Sequence, residues 1–139
     1  MKIAIEEAFA THSLVAAWVK LLEDGVPGEA GLDQHLGRLI TAKNGWGAEV
    51  TERLTDLGDL RLRQMDECGV DMQVIGITAP GVQVFDADTG CALAEEANDI
   101  LAEAVATQPT RFSGLATIAP QAPRSAAREL ERALGLGLK

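Results

Sequence analysis

Near the start of this 139-residue chain, the apolar run Ile3-Ala4-Ile5 is followed by two adjacent carboxylates, Glu6 and Glu7. An acid at the end of a short strand has a direction fixed by backbone, which is what a metal ligand or a catalytic carboxylate needs. Simple alternation sends Ile3 and Ile5 to one side and Ala4 and Glu6 to the other, so Glu6 is expected to continue a buried line while Glu7 turns outward. Glu6 is then the candidate metal ligand or catalytic carboxylate; in the plainer reading both acids solvate a loop. His12 is close to Glu6 in sequence, but it falls in a first helical turn, off the strand line, where surface or capping duty is expected rather than ligation. Thr78 opens the breaker Thr78-Ala79-Pro80-Gly81 and reads from the residues alone as a turn-starting hydroxyl. Cys68 and Cys91 are the only cysteines and have no C-x-x-C spacing, which argues against a disulfide framework or zinc knuckle and for a reducing cytoplasm.

The elements that must position these groups follow from periodicity. Leu14, Ala17, Trp18, Leu21 and Leu22 fall at helical spacing behind Thr11 and Ser13 as caps, with Asp24-Gly25 as the stop. Residues 25–50 are Gly-rich, carry Pro27, His35 and Trp46, and show no sustained period beyond a short helical turn around 36–40, so they are expected to form a long loop after the first βα unit. Leu54, Leu57, Leu62, Met65 and Cys68 resume one helix, and Gly69 stands where a left-handed C-terminal cap belongs. A strand is expected over 72–77, a helix from Asp86 or Asp88 with the stripe Leu93, Ala97, Ile100, Leu101, Ala104 and Val105, a strand over 112–119, and a last helix entered through Pro123. This alternation predicts an α/β fold with parallel strands, right-handed crossovers and helices packed outside. With few strands for so much apolar helix surface, unpaired sheet edges are expected, met by self-association or by the remainder of a larger barrel.

Composition bounds the function classes. An apolar fraction of 47% supports a real core in one domain spanning 1–139. Twelve basic against twenty-one acidic residues leave a formal charge of −9, which disfavours nucleic acid and anionic membrane as partners and favours neutral, cationic or metal-bound ones. No apolar run approaches membrane length, and the chain opens on a strand rather than on a signal-peptide pattern.

Several spaced blocks carry a family resemblance. Ile3-Ala4-Ile5-Glu6-Glu7-Ala8-Phe9-Ala10, Leu54-Thr55-Asp56-Leu57-Gly58, Met65-Asp66-Glu67-Cys68-Gly69-Val70-Asp71, Thr78-Ala79-Pro80-Gly81-Val82-Gln83, Ala97-Asn98-Asp99, Pro109-Thr110-Arg111-Phe112 and Ala119-Pro120-Gln121 occur in one order. Together they resemble the N-terminal part of the metal-dependent aromatic-acid decarboxylases of the amidohydrolase superfamily. The chain is most similar to the 5-carboxyvanillate and 2,3-dihydroxybenzoate enzymes and more distantly to the γ-resorcylate and aminocarboxymuconate-semialdehyde decarboxylases. The resemblance implies about three leading βα units of a TIM (β/α)8 barrel, one divalent metal (manganese, zinc or magnesium) and a hydroxylated benzoic acid as substrate. It implies that Glu6 is the metal ligand of the first strand and that Thr78 lies beside the substrate at the mouth of the second. Where relatives carry His-x-His or Glu-x-His, this chain has Glu6-x-Ala8; an alanine cannot ligate, which fits the carboxyvanillate branch and weakens a two-metal hydrolase reading.

No catalytic residue is expected within the chain. The family's remaining histidines, arginine and last-strand aspartate would lie beyond Lys139, so the chain reads as a leading barrel segment, inactive alone. The competing expectations are an amidohydrolase-superfamily hydrolase fragment, a non-catalytic α/β module that self-associates through its sheet edges, and an enzyme rebuilt with a complementing C-terminal fragment.

Overall fold

The computed structural model describes residues 1–25 and 37–139. Over them the order is β1 (Ile3–Phe9), α1 (His12–Glu23), α2 (Gly37–Ile40), α3 (Gly45–Thr55), α4 (Asp59–Cys68), β2 (Met72–Ile77), α5 (Ala87–Thr107), β3 (Phe112–Gly114) and α6 (Pro123–Gly135). The strands form one sheet in the order β1-β2-β3 with both pairings parallel, as the alternation predicted.

Helix boundaries follow local chemistry. The Thr11 hydroxyl accepts from the Leu14 amide at 3.0 Å and caps α1. Asp86 caps α5 by accepting from the amides of Asp88 and Thr89, both at 3.0 Å. Pro123 enters α6 in its first turn, and Gly69 closes α4 at φ 63 in the left-handed region.

Among the described residues the helical packing lies on one face of the sheet. There Phe9, Ile75 and Phe112 meet Met65 of α4, Leu101 of α5 and Leu138. A second cluster joins Leu14 and Trp18 of α1 to Val82, Leu93 and Ala119, and the Trp18 indole N–H donates to the Gly81 carbonyl at 3.0 Å. Among the described residues the opposite face is uncovered: Ile3, Ile5 and Leu115 stay exposed, Ile5 to 70%. At the β3 edge, Lys139 donates to the Gly114 carbonyl (2.9 Å) and accepts from the Ala116 amide (2.8 Å), bracketing Leu115 in the parallel-ladder pattern.

Three expectations are corrected. The single helix expected through Leu54–Cys68 is split into α3 and α4, because the Asp56 side chain accepts from the amides of Gly58 (3.1 Å) and Arg61 (2.8 Å) and starts a new helix. The stretch 25–50, expected as a long loop with a short helical turn around 36–40, has that turn as α2 but also carries the start of α3 among its described residues. Gly47 is what lets these helices approach, since a Cβ there would stand 2.6 Å from that of Ala42 and 3.0 Å from the Leu39 carbonyl oxygen. The third strand ends at Gly114 rather than at 119. Beyond it the Asn98 side chain takes over the backbone of Thr117, accepting from its amide at 2.8 Å and donating to its carbonyl at 2.9 Å, which draws the chain off the ladder.

Candidate functional site

Strict alternation continued from Ala4 along β1 would drive Glu6 into the helix-packed face beside Ile75, where an unpaired carboxylate is costly, and would turn Phe9 out of the core. The strand avoids this with a bulge. Ala4 pairs with Gln73 and Glu7 with Ile75, so Ile5 and Glu6 together oppose Val74. Glu6 adopts φ 63, the one positive φ outside glycine among the described residues. The expected parity is therefore reversed. Glu6 is exposed with Ile5 on the open face, and Glu7 takes the inward position, half-buried, where its carboxylate accepts from Gln73 Nε2 at 3.3 Å.

Behind Glu7 lies Arg61, only 7% exposed and not singled out in the sequence. Its guanidinium donates to the carbonyls of Asp56 (2.7 Å), Ala8 (3.0 Å) and Arg53 (3.0 Å) and to Gln73 Oε1 (3.2 Å). Burial pushes its pKa below the usual value, and the nearby charges of Glu7 and Asp56 oppose that shift. A signal existed: Arg61 stands one turn before Met65 on the face that α4 buries, and an arginine on a buried stripe asks for acceptors. Glu7, Arg61 and Gln73 also line a cavity of about 390 Å³ at the outer edge of β1.

Thr78 is half-buried at the end of β2. Its amide donates to the Phe9 carbonyl and its carbonyl accepts from the Gly81 amide, both at 3.0 Å, so it ties the end of β1 to the turn that carries the cis Ala79–Pro80 bond. Gly81 serves the turn itself: it sits at φ 67, and a Cβ there would meet the Gln83 side chain. Thr78 thus marks the end of the sheet where β1 and β2 finish, whereas Glu6 sits in the middle of β1, opposite Val74. His12 is the first residue of α1 and is exposed, in keeping with surface duty. Trp46 is exposed on α3, and His35 lies outside the described residues. Cys68 and Cys91 are both unbonded. Among the described residues no three His, Cys, Asp or Glu side chains come together as a metal cluster.

Three parallel strands with helices packed against them match the leading part of an α/β barrel. The chain belongs to the amidohydrolase family, whose model matches residues 12–139. It is 40% identical over 132 residues to the gamma-resorcylate decarboxylase of Polaromonas sp. strain JS666, covering 94% of this chain and 34% of that protein. The crystal structure of 5-carboxyvanillate decarboxylase from Novosphingobium aromaticivorans, solved with manganese and 3-methoxy-4-hydroxy-5-nitrobenzoic acid, superposes with a TM-score of 0.93 at 38% identity, covering 99% of this chain and 40% of that one. The carboxyvanillate decarboxylase of Sphingomonas paucimobilis gives a TM-score of 0.87 at 44% identity with the same coverage, 99% and 40%. The chain therefore spans 34% to 40% of the length of these relatives and matches the N-terminal portion of a TIM-barrel amidohydrolase.

Proposed function

We propose that this chain forms the first-strand side of a metal-dependent, non-oxidative decarboxylase site for hydroxylated benzoic acids, with 5-carboxyvanillate-like and γ-resorcylate-like acids as the substrate class. The observation that supports it is the bulge that turns Glu6 outward at φ 63, opposite Val74 of the strand that Thr78 follows. In this reading Glu6 is an oxygen ligand to manganese, zinc or magnesium, and a bound ion would orient and charge-stabilise a phenol and carboxylate pair. Thr78 offers a hydroxyl that can donate to, or accept from, a substrate oxygen. Ala8 at the next outward position leaves room for one ion rather than two, which favours the decarboxylase over a two-metal hydrolase. A catalytic site of this kind uses about three protein ligands, so turnover calls for ligands besides Glu6, and the chain alone is proposed to be inactive. The open sheet face and the β1 edge suit a covering partner, whether complementary barrel segments or a second copy. No helix among the described residues is long and apolar enough to cross a membrane, and two unbonded cysteines fit the reducing cytoplasm we propose as its compartment.

The test is a chimera in which this chain replaces the matching N-terminal 40% of the Sphingomonas carboxyvanillate decarboxylase. Manganese-dependent release of carbon dioxide from 5-carboxyvanillate, abolished by Glu6→Gln in a chimera that still folds, is the expected result. Full activity in the Glu6→Gln chimera would overturn the assignment.

A further inference from the structure

A glutamate at φ 63 gives up backbone free energy and persists only where the chain on both sides of it is fixed. On the upstream side, the Asp71 amide donates to the Lys2 carbonyl at 2.9 Å, and Ile3 and Ala4 pair in register with Met72 and Gln73. On the downstream side Glu7, Ala8 and Phe9 pair in register with Ile75, Gly76 and Ile77, and groups from outside the sheet add to this pairing. The Ala8 carbonyl, which faces the outer edge of β1, accepts from Arg61 Nη2 at 3.0 Å, and the Ala10 amide donates to the Leu54 carbonyl at 3.0 Å. Arg61 cannot follow β1 if the strand shifts, because Nε is tied to the Asp56 carbonyl at 2.7 Å and Nη2 also reaches that of Arg53 at 3.0 Å.

We infer that Arg61 is a positioning residue: by holding the Ala8 carbonyl and, through Gln73, the Glu7 carboxylate, it locks the β1 bulge in the form that turns Glu6 to the open face. The inference deepens the metal-ligand reading of Glu6, but every observation behind it is metal-free. A one-residue slip between Ala4 and Ala8 would restore plain alternation and send Glu6 to the packed face. Arg61 opposes that slip at two points. Its Nη1 donates to Gln73 Oε1 at 3.2 Å while Gln73 Nε2 donates to Glu7 Oε2 at 3.3 Å, so the guanidinium and the amide fix the Glu7 side chain as well as the Ala8 backbone. A buried arginine that only balanced charge would hydrogen-bond a carboxylate; this one directs its donors to carbonyls of β1 and of the α3–α4 junction and to an amide. The planar fork is what the arrangement needs, because a lysine ammonium has no rigid set of donors able to span these acceptors.

The test uses the metal-free chain and its Arg61→Lys and Gln73→Leu variants, read by nuclear magnetic resonance. The expected result is that both variants keep dispersed spectra while the Glu6 α- and β-carbon shifts move from left-handed to extended values. In Arg61→Lys the Ala10 amide is also expected to exchange about tenfold faster, the size that one lost charge-assisted hydrogen bond gives. Unchanged Glu6 carbon shifts in a folded Arg61→Lys protein would overturn the inference. Should Arg61→Lys fail to fold, unchanged Glu6 shifts in Gln73→Leu overturn it equally. Failure of Glu6 to bind manganese would sink the metal reading alone, so the two failures are distinguishable.

Discussion

Asn98 is the most informative single perturbation of the fold. It is 1% exposed on α5, and its amide makes three hydrogen bonds: from the Thr117 amide (2.8 Å), to the Thr117 carbonyl (2.9 Å) and to Glu129 Oε1 (2.7 Å). The two bonds to backbone are each worth about 0.5–1.5 kcal/mol and the one to a carboxylate about 1.5–3 kcal/mol. Asn98→Ala removes all three and leaves the Thr117 backbone groups half-buried without those partners, so a loss of about 3–5 kcal/mol is expected. Asn98→Leu refills most of the volume without restoring a donor or acceptor, and is expected to cost nearly as much. Urea unfolding followed by circular dichroism measures both as a fall in midpoint at constant slope. A loss under about 1 kcal/mol in Asn98→Ala, or recovery of most of it in Asn98→Leu, would refute the hydrogen-bond account of why β3 stops at Gly114.

Gly90→Ala places a Cβ against Gln121 Nε2 and 3.1 Å from the Val82 carbonyl oxygen, so Gln121 must release Val82 and Phe85; a loss of about 2 kcal/mol is expected in the same assay. Trp18→Phe keeps the ring in the second core cluster but leaves the Gly81 carbonyl without its indole donor, with about 1–3 kcal/mol lost and the Thr78–Gly81 turn loosened, seen as faster exchange of the Gly81 amide. Burial raises the Glu129 pKa, but the bonds from Arg132 and Asn98 outweigh it and hold the carboxyl below its ordinary 4.5. With the folded value depressed, its contribution is complete above pH 4.5 and fades as pH falls through the folded value; the melting-temperature gap between the wild type and Glu129→Gln is therefore expected to narrow below pH 4.5 and stay level from 5 to 7.

The order of strands and helices was legible because it rests on local signals: a hydroxyl at Thr11, a carboxylate at Asp86, a proline at Pro123 and a glycine at Gly69 each act within one turn of their own position. What alternation could not reveal is the extra residue in β1. A bulge is a property of two strands, and only the pairing with Gln73 and Ile75 shows that Ile5 and Glu6 share one partner. Glu6 was thus placed on the wrong face, and Glu7 took the inward position expected of Glu6. Asn98 and Arg61 escaped for the same reason: their acceptors lie at Thr117 and Ala8, far along the chain from each. The break at Asp56 was visible as the five-residue step from Leu57 to Leu62 in an otherwise helical stripe, which one continuous helix cannot keep on a single face.

The outward Glu6 carboxylate as a divalent-metal ligand is tested most directly by titrating the isotopically labelled chain with manganese(II) and mapping paramagnetic broadening of its amide signals. The account predicts broadening centred on the Glu6 region and on Val74, which faces it in β2, lost in Glu6→Gln while broadening at other surface acids persists. Broadening spread over the acidic surface with no part that depends on Glu6 would contradict it.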